Sequence, residues 1–245
     1  MSKHGKGTPG AQDWVEVADE PNHEELFLNE QIRVYVAVIR PGRETAYHRH
    51  DKDTLYLVLE GGKNTSTTLP GSKSTKYVFP RSIGLTRKIK WGLTRLIYGW
   101  TYLPKSIYLL MHNDGNPVIH KVRGSEDNSS DMRLMGIEFL NPGGRHGCVS
   151  TGTQTLKVDY EDNTVRVFRL NFPSDLYQMK EALCFMGIVI VLKGDIRIEA
   201  SSPGDSEPVP HDLNEGDLVW NDGGMKFTFA IPLRTEAEAL VVLMK

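Results

Sequence analysis

Short runs of β-branched and aromatic residues, each ended by Gly, Pro, Asn or Asp, recur along this chain of 245 residues. The run "IRVYVAVIRPG" (32–42) stops at a proline and a glycine, and "TLYLVLEGG" (54–62) stops at two glycines. Similar runs lie at 105–111, 118–122, 133–140, 155–160, 164–172, 186–200, 216–221, 226–231 and 239–245. Such runs with turn residues between them are typical of antiparallel sandwiches and barrels. We therefore predict an all-β fold.

The strand pattern contains a weak internal repeat. "LVLEGG" at 57–62 and "IVLKGD" at 190–195 are each a strand that runs into a glycine turn, and they are separated by close to half the chain. This repeat indicates two similar β units, and "PGG" at 142–144 marks the boundary between them. We predict a disordered N-terminal tail at 1–24, a first barrel at 25–140 and a second at 141–245.

Composition restricts the class of protein. The net charge is −2 and charged residues make up 24% of the chain, which predicts no nucleic-acid partner. No apolar run is long enough to span a bilayer, and the first residues lack the apolar core of a secretory signal. Cys148 and Cys184 are far apart and are expected to be reduced thiols. We predict an intracellular protein, favour the cytoplasm and leave open an organelle reached by a removed transit peptide.

The stretch "GRETAYHRHDKDTLYLVLEGG" (42–62) carries two histidines one residue apart, His48 and His50. Side chains alternate faces along a strand, so these imidazoles point the same way, roughly 7 Å apart. They can share a metal ion if a third ligand comes from a neighbouring strand. The alternative is a pair of barrel-lining histidines that bond each other or water.

The spacing around these histidines resembles the first motif of the cupin superfamily, a glycine, five residues, H-x-H, three or four residues, a glutamate, six residues and a glycine. Here Gly42, His48, His50 and Gly61 occupy the fixed positions, and Thr54 stands where the glutamate is usual. The resemblance implies a small antiparallel barrel of the jelly-roll (double-stranded β-helix) type.

"PVIHKVRG" (117–124) resembles the second cupin motif. Pro117 and His120 match, and Gly124 replaces the usual asparagine. In cupins the two motifs lie on adjacent strands, so the resemblance implies that His120 joins His48 and His50 as a metal ligand.

The missing glutamate alters the metal chemistry that is expected. The Thr54 hydroxyl can hold a metal-bound water but supplies no carboxylate. Three neutral histidines leave open positions on a divalent ion for a chelating substrate, O2 or both. Among cupins this set resembles the three-histidine iron site of the thiol dioxygenases. We therefore favour Fe(II), with Mn, Ni and Zn as alternatives.

The second half also resembles a cupin barrel but has no histidine at the ligand positions, with Phe227 in the place of His120. We expect a degenerate, metal-free barrel with an apolar interior. The remaining histidines need no function: His4, His23, His112, His146 and His211.

A basic insertion, at about 63–105, separates the two motifs. Between residues 61 and 113 there are nine Lys or Arg and no acidic residue. Apolar residues at three- and four-residue steps from Leu85 to Trp100 predict an amphipathic helix. It could be a helix with a solvated basic face, a lid that binds an anionic substrate, or a peripheral membrane contact. The candidate anion-binding residues are Arg81, Arg87, Lys88 and Arg95.

Three functions fit this sequence. The first is an Fe(II)-dependent dioxygenase acting on a small anionic molecule. The second is a non-catalytic cupin module that binds a small ligand or a membrane surface. The third is a metal-free isomerase in which a histidine is the base, which needs a buried acid as its partner. The sequence leaves the choice between a monomer and a homodimer open.

Overall fold

The structure, a computed structural model, describes residues 14–70, 76–78, 100–101, 108–112, 117–141, 158–172, 183–202, 204, 207–230 and 236–245. The chain divides into two compact units near residue 140. Strands dominate both units, and Val17–Asp19 is the one helical element, a 3-10 turn, within these ranges. None of the described helical segments is long and apolar enough to cross a membrane. The all-β prediction is confirmed.

The first unit is built from two sheets. Its strands are β1 (Val15–Glu16), β2 (His23–Leu28), β3 (Ile32–Ile39), β4 (His48–His50), β5 (Thr54–Glu60), β6 (Lys63–Thr68), β7 (Lys76–Val78), β8 (Trp100–Thr101), β9 (Tyr108–His112), β10 (Val118–Gly124) and β11 (Met132–Phe139). One sheet has the order β1-β4-β10-β6-β8 and the other β2-β3-β11-β5-β9-β7. A buried apolar cluster takes side chains from both sheets, including Tyr35, Val58, Val122 and Leu134. The sheets therefore share one interior, as the jelly-roll prediction requires.

Strand β3 shows how the sequence specifies this arrangement. Its β-branched and aromatic residues favour an extended backbone, and it pairs with β11 along its whole length, from Ile32 opposite Phe139 to Ile39 opposite Met132. Gly42 then adopts a φ of 68°, a left-handed conformation that glycine tolerates at little cost. The turn sends the chain towards β4 in the other sheet.

The predicted disordered tail, residues 1–24, is too long. Residues 15–16 form β1 and pair in parallel with β4, with Val15 opposite His48. Val17 is 3% exposed and belongs to the interior apolar cluster. The prediction failed because this region is polar in sequence, and its order depends on a few contacts with the folded barrel.

The prediction of a helical insertion at 63–105 is wrong where the structure describes it. Residues 63–68, 76–78 and 100–101 are strands, and Asn64 and Trp100 pair across β6 and β8. β6 also pairs with β10 in the barrel sheet, so residues 63–68 are not inserted. The Thr-rich sequence "KNTSTT" suits an exposed strand. Arg81, Arg87, Lys88, Arg95 and the predicted helical positions before Trp100 lie outside the described residues.

The described strands of the second unit form one sheet with the order β12-β13-β18-β14-β17-β15-β16. Its strands are β12 (Val158–Glu161), β13 (Val165–Phe172), β14 (Leu183–Lys193), β15 (Ile196–Ser201), β16 (Val209–Leu213), β17 (Leu218–Ala230) and β18 (Ala237–Met244). Phe185, Val191, Ile198 and Phe227 are among the residues that fill its core. The continuous apolar patterns of β14 and β18 suit strands that are buried on both faces.

Corresponding ion pairs support the internal repeat. Arg33 on β3 contacts Glu138 on β11 and Glu25 on β2. Arg169 on β13 likewise contacts Glu238 on β18 and Asp159 on β12. In each unit the arginine lies on the second strand of the sheet and reaches acids on the strands beside it.

Candidate metal centre

His48, His50 and His120 meet in the interior of the first unit. The strands β4 and β10 are antiparallel neighbours, with His48 opposite His120. The alternation along β4 puts His48 and His50 on one face, with ring centroids 4.9 Å apart. One ligand atom from each of the three residues lies within 4.8 Å of the others. The three exposed fractions are 2%, 0% and 7%, so the cluster is shielded from bulk water.

Hydrogen bonds orient two of these rings. Nδ1 of His48 donates to the Ala46 carbonyl at 3.0 Å, which leaves Nε2 as the nitrogen with a lone pair. Nδ1 of His120 is 3.0 Å from the Ser66 hydroxyl, and its buried Nε2 has no hydrogen-bond partner within the described ranges. An unpartnered buried nitrogen is costly. A metal ion would satisfy it, and three imidazoles are a donor set that suits Fe, Ni, Cu or Zn. The residues present therefore fit a transition metal.

Burial keeps these histidines neutral. It lowers the pKa of His120 to about 3, with further lowering by the neighbouring His48 and His23. The pKa of His50 is held well below its usual value by burial and by His120, His48 and His23. Burial also lowers the pKa of His48, against the opposing effect of Glu20. Neutral imidazole is the form that binds metal.

The pKa shifts predict that acid destabilises the metal-free protein. Unfolded histidines take up protons near pH 6.5, whereas folded His120 does so only near pH 3. Between these values the unfolded chain binds more protons, so the free energy of unfolding should fall as the pH falls. Urea unfolding at pH 7, 5.5 and 4.5 tests this. His50→Asn should make the pH dependence shallower, and an unchanged slope in that variant would contradict the assignment.

Two tyrosines lie beside the histidines. The Tyr56 hydroxyl is 3.4 Å from each ring nitrogen of His50 and 3.0 Å from the Tyr35 hydroxyl. The Tyr35 ring lies over Gly136, where a Cβ atom would be only 2.4 Å from Cζ of the tyrosine. Gly136 thus provides the space that brings Tyr35 into the interior. Tyr47, the residue before His48, is not directed at the histidines, and its ring contacts Lys121.

Thr54 shares one face of β5 with Tyr56 by strand alternation and is fully buried. Its hydroxyl donates to the Lys52 carbonyl at 3.3 Å. A role in holding a metal-bound water stays a prediction. The other predicted site residues, Arg81, Arg87, Lys88 and Arg95, are outside the described part of the chain.

Sequence reasoning missed two residues of this site. His23, assigned no function, stacks on Tyr35 at 4.6 Å and meets His48 edge-on at 5.1 Å. Burial, with the neighbouring His48, lowers its pKa to about 4. Glu20 is 2% exposed, and its carboxylate lies 3.9 Å from Nδ1 of His48. Neither residue belongs to a motif, and only the pairing of β1 with β4 and of β2 with β3 brings them to the site.

The second unit has an apolar pair where the first has His48 and His120. Leu183 pairs with Phe227 across β14 and β17, as His48 pairs with His120. The rings of Phe185 and Phe227 meet edge-on at 5.7 Å within the apolar core. His211 lies on β16, at the edge of the sheet, and is exposed.

This fold, with its buried histidine cluster, is that of a two-barrel cupin. AerE from Microcystis aeruginosa has a similar structure (TM-score 0.52, 12% identity), covering 92% of this chain and 98% of that one. The 11S globulin from Wrightia tinctoria is also similar (TM-score 0.53, 9% identity, 93% and 84% covered). A cupin 2 conserved barrel domain protein from Leptotrichia buccalis has a TM-score of 0.49 at 9% identity, with 91% and 88% covered. No family sequence model and no curated protein matches the chain.

Proposed function

We propose that His48, His50 and His120 bind a divalent transition metal ion. The observation that carries this proposal is the close approach of three buried ligand atoms, within 4.8 Å of one another. Nε2 of His120, which has no hydrogen-bond partner in the described part of the chain, adds to it. An apolar interior would fill this space at lower cost than three imidazoles, which must be desolvated.

We further propose an Fe(II)-dependent dioxygenase, with Mn, Ni or Zn as alternative metals. A bound Fe(II) would supply redox chemistry and open coordination positions, because three histidines occupy only part of an octahedral set. The chain's own contribution is to hold the imidazoles in place through Ala46 and Ser66. The Tyr56 hydroxyl lies beside His50, and the Tyr35 hydroxyl lies beside that of Tyr56, where both can orient a substrate.

The proposed substrate is a small anionic molecule. Support comes from the sequence, since the nine basic residues between 61 and 113 have no acidic residue among them. Arg81, Arg87, Lys88 and Arg95 are the residues proposed to bind its carboxylate or phosphate, because arginine and lysine bind such groups through charge-assisted hydrogen bonds.

Oxygen consumption tests this function. Untagged protein, loaded anaerobically with Fe(II), would be mixed with a panel of small carboxylates and phosphates in air-saturated buffer. We expect at least one compound to support oxygen uptake that is lost in His48→Ala and kept in His211→Ala. Uptake that is equal in His48→Ala, or absent throughout the panel in iron-loaded protein, would contradict the dioxygenase assignment.

A non-catalytic module is the second candidate. The structure of the Wrightia tinctoria globulin, which shares the fold, is described as revealing an auxin binding site. A ligand-binding cupin therefore has a structural precedent. Such a module would bind its ligand equally well after His120→Ala, whereas the dioxygenase would not turn over.

A further inference from the structure

The N-terminal strap, residues 14–22, carries a buried acid to the metal centre. Its β1 strand pairs with β4, so that Val15 lies opposite His48 and Glu16 opposite Arg49. Arg49 fixes the strap from outside by contacting Glu16 at 3.0 Å and the ring of Trp14. This attachment places Glu20 at the back of the His48 ring.

The Glu20 carboxylate accepts hydrogen bonds at both oxygens. Oε1 accepts from the backbone N–H of Asn22 at 3.2 Å and from its side-chain amide at 2.6 Å. Oε2 accepts from the Ala46 N–H at 3.1 Å. Acceptance at both oxygens is the role of an ionised carboxylate, and the Glu20 side chain is wholly removed from solvent.

Glu20 differs from the other buried acids of the described ranges in the group that lies beside it. Glu138 pairs with Arg33 and Asp159 with Arg169. The group beside Glu20 is instead His48, with 3.9 Å between Oε2 and Nδ1. A buried negative charge needs a positive partner, and a cation held by His48 would provide one.

Glu20 also holds the backbone next to His48. Ala46 donates its backbone N–H to Glu20, and the carbonyl of the same residue, in the following peptide group, accepts the Nδ1 proton of His48. This leaves Nε2 of His48 to face the cluster. Carboxylates and carbonyls behind a metal-binding histidine raise its basicity and orient the ring.

We propose that Glu20 is a positioning residue that supplies the negative charge absent from Thr54. The first cupin motif places a carboxylate among the ligands. Here the negative charge comes from the strap, and it lies behind the ring of a ligand, His48, instead of among the ligands themselves. Glu20 would balance part of the charge of the metal and hold His48 in its metal-binding tautomer. This inference rests on the proposed metal site.

The test compares Glu20→Gln with Glu138→Gln, which neutralises a buried acid paired to arginine, and with Glu24→Gln, which neutralises an exposed acid of β2. The probe is Co(II), titrated by its visible absorption. We expect Glu20→Gln to weaken Co(II) binding by about 10–100-fold, and the two controls to bind like the wild type.

A second readout needs no metal. Histidine ¹⁵N shifts of the metal-free protein should show His48 protonated at Nδ1 in the wild type and in Glu138→Gln, but as a tautomer mixture in Glu20→Gln. Wild-type affinity and an unchanged tautomer in Glu20→Gln would overturn the role of Glu20. An equal loss of affinity in Glu138→Gln would also overturn it. A wild-type protein that binds no Co(II) would instead contradict the metal site itself.

Discussion

Replacing His120 with alanine is expected to abolish stoichiometric metal binding. The residue supplies one of three ligand atoms, and its Nε2 has no hydrogen-bond partner among the residues that the structure describes. Loss of a partner behind a ligand already costs about 10–100-fold in affinity, so loss of the ligand itself should cost more than roughly a hundredfold. Competition titration with a chelating indicator measures this change.

Ser66→Ala is expected to weaken metal binding less than His120→Ala does. It removes the hydroxyl 3.0 Å from Nδ1 of His120 but keeps all three imidazoles, so its metal affinity should lie between those of the wild type and His120→Ala. His211→Ala, an exposed histidine of the second unit, should bind metal like the wild type. If His120→Ala retained the wild-type affinity, the three-histidine centre would be disproved.

Gly187→Ala is expected to give the largest loss of stability. Gly187 lies in β14, and a Cβ atom there would be 2.1 Å from the Val242 carbonyl oxygen and 3.1 Å from Cα of Leu243. Both are backbone atoms of β18, which pairs with β14 on one side and β13 on the other. These atoms cannot move away from the added Cβ unless β18 separates from a neighbouring strand. We expect a loss of about 3 kcal/mol, at the upper end for an overpacked core.

Gly224→Ala is the matched control in the same unit. Its added Cβ would meet the end of the Asp222 side chain at 3.1 Å rather than any backbone, and a side chain can rotate away. Urea unfolding should show a clear shift of midpoint for Gly187→Ala and a much smaller one for Gly224→Ala. Equal shifts would mean that the close approach of β14 to β18 is not what restricts residue 187 to glycine.

The spacing of the two histidine motifs was enough to predict the fold and the three clustered residues. Strand alternation places His48 and His50 on one face, and the resemblance to cupins brought His120 beside them. The structure confirms that the three lie together. The internal repeat likewise predicted a second unit. Phe227 pairs with Leu183 there, as His120 pairs with His48 in the first unit.

Glu20 and His23 were beyond this reasoning. Their neighbours in sequence are polar, so periodicity gave no signal for the short β1 strand or for a buried carboxylate. The Thr-rich β6 strand was missed for a related reason, because alternation of apolar residues is the signal for a strand and β6 has polar residues at its inward positions. Asn64 and Ser66 are such positions, and Ser66 contacts His120.

The buried acid near His48 also bears on the metal-free isomerase. That hypothesis needs a buried acid beside the histidine base, and the sequence identified none. Glu20 is a buried acid that lies 3.9 Å from Nδ1 of His48. The Ala46 carbonyl, however, is the group that receives the Nδ1 proton. Glu20 therefore acts on His48 mainly by holding the backbone at Ala46, an arrangement that suits a ligand held in a fixed tautomer.

Metal content is the most direct test of the three-histidine site. Untagged protein, purified without chelators, would be analysed by plasma mass spectrometry beside His48→Ala and His120→Ala. We predict near-stoichiometric iron or another first-row transition metal in the wild type and none in either variant. A wild-type protein that holds no metal, even after reconstitution with Fe(II), Mn(II), Ni(II) and Zn(II), would contradict the assignment of His48, His50 and His120 as metal ligands.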